Sequence, residues 1–168
     1  DGSSIFITGE TASSFGGITN SGGSSDGFLS KYDSDGNLAW TKFIGTTGVD
    51  YGYGLAINTD DSVLLFGTTN GNLAGLTNNG GYDTYLQKYD SAGNLSWTKL
   101  IGGTGTDFST DIEIDVEGYI YLLGRTNADI NGQSHKGGAG DDIFIVKLSP
   151  EGNVLETTLY GTTANDTP

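Results

Sequence analysis

An all-β fold built from repeated four-stranded sheets is what this sequence predicts, on three observations. Twenty-nine glycines in 168 residues, with abundant Asn, Thr and Ser, cut the chain into many turns. Short clusters of β-branched and aromatic residues lie between the turns, and no window of helical length shows apolar residues at helical spacing. The chain also repeats itself. Asp26, Asp83 and Asp142 open the phrases DGFLSKYD, DTYLQKYD and DIFIVKLS; Asp50, Asp107 and Asp166 close IGTTGVD, IGGTGTD and YGTTAND; Gly9, Gly67 and Gly124 end IFITG, LLFG and YLLG. The period is 57–59 residues.

Spacing separates framework from loop. From Asp26 to Asp50 is 24 residues, and the step is 24 in both later copies; from Asp50 to Gly67 and from Asp107 to Gly124 it is 17. Only the step from the glycine to the next Asp varies, as 17, 16 and 18. A length change slips a strand register but is tolerated in solvated backbone, so 10–25, 68–82 and 125–141 are expected to be exposed loops.

The middle copy holds four strand-like runs: YGLAIN (53–58), VLLFG (63–67), TYLQKY (84–89) and LSWTKLI (95–101). The second run is apolar on both faces in every copy, which predicts deep burial. The third alternates, with Tyr85, Gln87 and Tyr89 on one face and Leu86 and Lys88 on the other. Short turns make hairpins of strands one and two, and of three and four. Four antiparallel strands per repeat, in tandem, is the pattern of a β-propeller blade. A linear β-solenoid is the alternative, but its coils are usually shorter.

The expected organisation is one partial β-propeller array over 1–168, with repeats at about 1–49, 50–106 and 107–168. That is three consecutive blades, the first lacking its first strand, and eleven strands in all. An arc of three blades leaves two apolar faces open. Further blades of the same protein, or self-association, are expected to cover them. The chain begins at Asp1 without Met and reads as part of a longer or processed protein.

The net charge of -14, with seven basic residues, argues against nucleic acid or an anionic membrane surface as partner. No run approaches the ~20 apolar residues of a membrane span. There are no cysteines, so disulfides and thiolate metal sites are excluded.

The phrases YGLAIN, VLLFGTT and DTYLQKYDSAGNLSWTKLIGGTGTD resemble the bacterial SBBP repeat, named for a seven-bladed β-propeller, and the resemblance covers essentially the whole chain. It implies a large secreted or surface protein without a shared catalytic set. The last copy departs from the pattern. Glu156 stands where Trp40 and Trp97 stand, and Pro150 enters its turn, so a terminal or less regular blade is expected there.

Candidate chemistry is sparse. DSDGN (33–37) offers Asp33, Asp35 and Asn37 to a calcium ion, yet Gly36 comes too early for an EF-hand loop, and the twelfth residue is Ile44. The later copies read DSAGN and SPEGN, so a hairpin turn is the simpler reading. The phrase is also similar to the Asp-box of sialidase-type propellers. Here three residues, not two, separate Gly36 from Trp40, and Arg125 is the only arginine, so that enzyme chemistry is rejected. His135, the one histidine, aligns with Asn20 and Asn78 and reads as a polar turn residue, not a base. Lys31, Lys88 and Lys147 are expected to lay their stems between blades and pair with carboxylates, and Trp40 and Trp97 to pack between blades.

The variable loops share a phrase: FGGITNSGG, LAGLTNNGG and INGQSHKGG. Phe15, Leu73 and Ile130 are expected to pin each loop. Thr19 and Asn20, Thr77 and Asn78, and Ser134 and His135 would then offer uncharged polar groups to a protein or carbohydrate ligand. The expected role is a non-enzymatic extracellular or cell-surface module, structural, adhesive or ligand-binding, with no cofactor unless calcium. The alternative is an accessory propeller of a secreted glycan-active enzyme whose catalytic residues lie outside this chain.

Overall fold

The computed structural model describes residues 4–138 and 140–168, and every regular element in them is a β-strand. The first sheet holds β1 (Ser4–Thr11), β2 (Asp26–Asp33) and β3 (Leu38–Ile44). The second holds β4 (Asp50–Ile57), β5 (Val63–Thr69), β6 (Asp83–Tyr89) and β7 (Leu95–Ile101). The third holds β8 (Asp107–Ile114), β9 (Ile120–Thr126), β10 (Asp142–Leu148) and β11 (Val154–Tyr160). Every pairing is antiparallel and follows chain order. These are three consecutive propeller blades, and they do not close into a ring.

The blades stack face to face. Phe6, Leu29 and Trp40 of the first meet Leu65, Tyr85 and Tyr89 of the second. Leu64, Leu86 and Trp97 on the second blade's other face meet Ile112, Phe144, Val146 and Leu148 of the third. Each fully buried large side chain contributes roughly 1.5–3 kcal/mol, so the two interfaces, not the isolated sheets, hold the array together. The first-position strands β4 and β8 pack on each other across the blade boundary, which puts them on the narrow inner side of the fan.

Burial corrects the sequence reading of the second strands. β5 is buried at every position, but β9 alternates and β1 leaves Ile5 and Ile7 about half exposed. Only the middle blade is covered on both faces. The strands also start earlier than expected, β4 at Asp50 and not Tyr53, and the variable loops shorten to 12–25, 70–82 and 127–141.

One turn serves all five hairpins. In the β2–β3 turn Asp33 N donates to Asn37 O (3.0 Å) and Gly36 N to Asp33 O (3.1 Å). The same pair of bonds recurs from Asn58, Asp90, Asp115 and Ser149. The fourth position is left-handed: Gly36 and Gly93 have φ 83°, Gly118 86°, Gly152 78°, and Asp61 φ 60°. The last copy is not less regular here. Ser149 Oγ replaces the Asp carboxylate as acceptor for the Glu151 and Asn153 amides, and Pro150 is accommodated.

The recurring tryptophans pack between blades. A Cβ on Gly93 would lie 2.9 Å from the Trp40 ring, and one on Gly152 would lie 3.1 Å from the Trp97 ring. The turn of each following blade therefore sits on the tryptophan of the one before. Glu156 takes the third position on a face that no blade of this chain covers, opposite Lys147.

The lysines differ from expectation. Among the described residues, of these three only Lys88 meets a carboxylate, Asp60 at 3.7 Å. Lys31 Nζ crosses to Ser91 O of the next blade (2.8 Å), and Lys147 lies over the rings of Tyr119 and Tyr121.

Candidate ligand-binding surface

Each variable loop opens with a tight reversal. Leu73 and Leu76 exchange both main-chain bonds (3.1 and 2.9 Å), as do Ile130 and Gln133 (3.1 and 2.8 Å). The residues between them have positive φ, Ala74 at 52° and Gly75 at 81°, Asn131 at 48° and Gly132 at 78°. Leu73 and Ile130 are buried in the two inter-blade cores, and Phe15 packs edge-on to Phe28 with ring centroids 4.9 Å apart. The expected pins are therefore in place.

The six sequence-selected loop residues divide in two. Asn20, Asn78 and His135 spend their polar atoms on the loop. Asn78 Nδ2 donates to Thr69 O and its Oδ1 accepts from Gly80 N, both at 2.9 Å. Asn20 does the same with Thr11 O (3.3 Å) and Gly22 N (2.9 Å). His135 Nδ1 accepts from Gly137 N (3.1 Å), and Nε2 lies 2.9 Å from Gly140 O. Thr19, Thr77 and Ser134 are exposed, one residue earlier in each loop. His135 also lines an open cleft of 680 Å³ beside Asn79, Gly103 and Asp129.

At the calcium candidate, Asp33 Oδ1 accepts from the Asp35 and Asn37 amides (3.0 and 2.8 Å), and Oδ2 accepts from Asn37 Nδ2 (3.0 Å). Those bonds hold the Asp33 carboxyl below its ordinary value. Asp90 repeats every one of these bonds in a copy with Ala92 in place of Asp35. Both carboxylate oxygens are thus engaged in closing the turn.

A feature that the sequence reading missed lies on the inner strands. Tyr53 and Tyr51 stack with centroids 5.8 Å apart, Tyr51 and Tyr82 at 6.3 Å, and Tyr82 and Phe108 at 5.5 Å. Arg125 closes the row 5.2 Å over Phe108 and pairs with Asp141. The row crosses from β4 through the loop before β6 to β8 and β9, so it spans two blades. A register shift between Gly52 and Gly54 leaves Tyr53 unpaired, and the residue is 44% exposed. Burial raises the phenols of Tyr51 and Tyr53, each further raised by a neighbouring tyrosine, so they stay neutral hydrogen-bond donors. Tyr53, Phe108, Thr110 and Arg125 border a cleft of 390 Å³. The one sequence signal was the aromatic after the recurring Asp, at Tyr51 and Phe108.

Comparison with known proteins agrees with this architecture. The chain is 29% identical over 162 residues to the regulatory protein FlaEY of Caulobacter vibrioides, covering 86% of this chain and 16% of that protein. It is 23% identical over 165 residues to the uncharacterized WD repeat-containing protein L264 of Acanthamoeba polyphaga mimivirus, covering 82% of this chain and 12% of that protein. It thus spans less than a fifth of either relative. Residues 96–131, which run from β7 through β8 and β9 into the third variable loop, match the family SBBP, the beta-propeller repeat. That match covers part of two of the three like-built sheets, so the chain carries a segment similar to the SBBP beta-propeller repeat within a propeller-blade architecture.

Proposed function

We infer that the chain is a non-enzymatic binding module of a larger propeller, placed outside the cell or at its surface, and that its inner-strand aromatic row takes neutral carbohydrate. The row carries this reading. Half-exposed rings beside Thr110, Arg125 and neutral phenols combine apolar contact with hydrogen bonding in one shallow cleft. Thr19, Thr77 and Ser134 add a hydroxyl on each variable loop. An accessory role beside a glycan-active enzyme would use the same surface.

The array is also a scaffold. Ile5 and Ile7 on the first blade, and Ile145 and Leu155 on the last, are exposed apolar residues. Further blades or a second copy of the chain would cover them, and sedimentation would show association of the isolated chain. FlaEY, a relative named as a regulatory protein, favours a second reading in which the cleft receives a protein partner.

The carbohydrate reading is tested on a panel of immobilised neutral oligosaccharides. The chain is expected to bind at least one, and Tyr51→Ala combined with Tyr82→Ala to weaken binding about tenfold or more while leaving unfolding cooperative. No sugar bound by the folded chain, or binding indifferent to those tyrosines, refutes it. Cell fractionation of the source organism tests the location.

A further inference from the structure

The fixed 24-residue step joins two carboxylates across each blade junction. Asp50 N donates to Ser25 O (2.8 Å), Asp107 N to Tyr82 O (2.6 Å) and Asp166 N to Asp141 O (2.7 Å). Each bond sets the Asp of one strand beside the Asp that follows its acceptor: Asp50 by Asp26, Asp107 by Asp83, Asp166 by Asp142. Asp26, Asp50, Asp83, Asp107 and Asp142 are all 0% exposed.

One oxygen of each buried carboxylate is accounted for. Oδ2 of Asp26, Asp83 and Asp142 accepts from the amides of Ser21, Asn79 and Lys136, and Oδ2 of Asp50 and Asp107 from those of Thr46 and Gly103. The other oxygen is not. Oδ1 of all five is buried without a geometrically formed hydrogen bond, although the hydroxyls of Thr69 and Thr126, cross-strand from Asp50 and Asp107, favour the charged forms of those two. At the middle junction both carboxylates press on one glycine: a Cβ on Gly102 would overlap Asp83 Oδ1 and stand 2.9 Å from Asp107 Oδ2. Glycine recurs at this place, Gly45 against Asp26 and Gly161 against Asp142.

Two buried carboxylates side by side, with free oxygens and no counter-charge, are a costly arrangement. Among the described residues no Lys or Arg pairs with any of the five; Lys88 meets Asp60, and Arg125 meets Asp141. Among the described residues only the third junction has a histidine beside it, His135 Nε2 at 3.8 Å from Asp142 Oδ1. The first two junctions have Asn20 and Asn78 at that loop position. We propose that the Asp26–Asp50 and Asp83–Asp107 pairs each hold a calcium ion that rivets adjacent blades together.

The donors decide the class. Carboxylates without a thiolate or imidazole suit a hard cation, and two of them balance a divalent one. Calcium tolerates irregular coordination completed by backbone carbonyls and water; magnesium demands a near-ideal octahedron. The sites are distinct from the Asp33 turn, whose oxygens close the hairpin.

The test is calorimetric titration of the chelator-stripped chain with CaCl2 at pH 7.5, alongside thermal unfolding in CaCl2 and in EGTA. Two ions per chain are expected, with the midpoint raised by ~5 °C or more at saturating calcium. Asp83→Asn with Asp107→Asn should halve the stoichiometry, and Asp33→Asn with Asp35→Asn should leave it at two. Tyrosine-sensitised terbium luminescence of the wild type, displaced by calcium, decides the matter should the variants unfold. Absence of calcium-dependent heat, luminescence and stabilisation in the wild type overturns the proposal. So does an equal response to MgCl2, or full binding by the Asp83/Asp107 variant.

Discussion

Gly36 and Gly93 occupy the same place in the same turn, each with φ 83°, but their surroundings differ. A Cβ on Gly36 meets nothing within 4 Å, whereas one on Gly93 stands 2.9 Å from the Trp40 ring and 3.0 Å from Lys42 Cε. Gly36→Ala therefore carries only the cost of a left-handed residue with a side chain, about 1–2 kcal/mol. Gly93→Ala carries that cost and the overpacking of an inter-blade contact, about 1–3 kcal/mol more. The difference should appear in urea unfolding as a lower midpoint for Gly93→Ala at unchanged m, and in heating as a midpoint about 2–10 °C below that of Gly36→Ala. Trp40→Ala removes the partner. In that background the two glycine substitutions should cost the same within ~0.5 kcal/mol. Equal costs in the wild-type background would refute the claim that each turn rests on the previous blade's tryptophan.

Burial, and then the neighbouring Asp83, raise the Asp107 carboxyl from 3.8 to about 6. A folded value above the unfolded one means a stabilising contribution that is complete below pH ~4 and is lost as pH rises through 6, up to ~3 kcal/mol. In EGTA, Asp107→Asn should flatten the stability profile between about pH 4 and 6, as followed by urea unfolding; an unchanged slope there contradicts it. Asp33 and Asp90, whose values are lowered, act with the opposite sign and only at more acidic pH. His135→Asn should be neutral within ~0.5 kcal/mol, because Asn20 and Asn78 brace the same loop, while His135→Ala should cost ~1–2 kcal/mol in the same assay. One glycine inserted between Gly81 and Tyr82, where the copies differ in length, should cost less than ~1 kcal/mol. The same insertion between Gly103 and Thr104 should cost ~2–4 kcal/mol by breaking the Gly103 N to Asp107 Oδ2 and Asp107 N to Tyr82 O bonds. Equal tolerance would refute the distinction between framework and loop.

The frame was legible because it is periodic. Strand number, hairpin turns and the pinning role of Leu73 and Ile130 follow from residues compared at one period. Contacts between blades were not legible, because they join positions with no local relation. Lys31 finds Ser91, 60 residues on, and nothing in KYDSDGN distinguishes a turn carbonyl from a carboxylate as its partner. The aromatic row draws on four elements of two blades, and the shift that frees Tyr53 is a property of pairing, not of composition. The loop candidates divide for a physical reason. An Asn before a Gly pair is polar, but its amide is matched to nearby backbone groups, so Asn20 and Asn78 brace while Thr19 and Thr77 face out.

Conserving a step of 24 residues between two acids is costly unless both ends are tied. The strand and turn of a blade's outer half occupy most of that length, and the remainder must return the chain to the next inner strand. The Asp107 N to Tyr82 O bond closes this circuit against the strand that began it, so the step measures one blade boundary, not one blade. A hydrogen-bonding residue such as Asn would close the same bond, since only its main-chain amide is used, and Oδ2 acceptance from Gly103 needs no charge. Two buried acids in place of two amides therefore ask for something that structure alone does not, and a cation shared between blades is a use that amides would serve poorly.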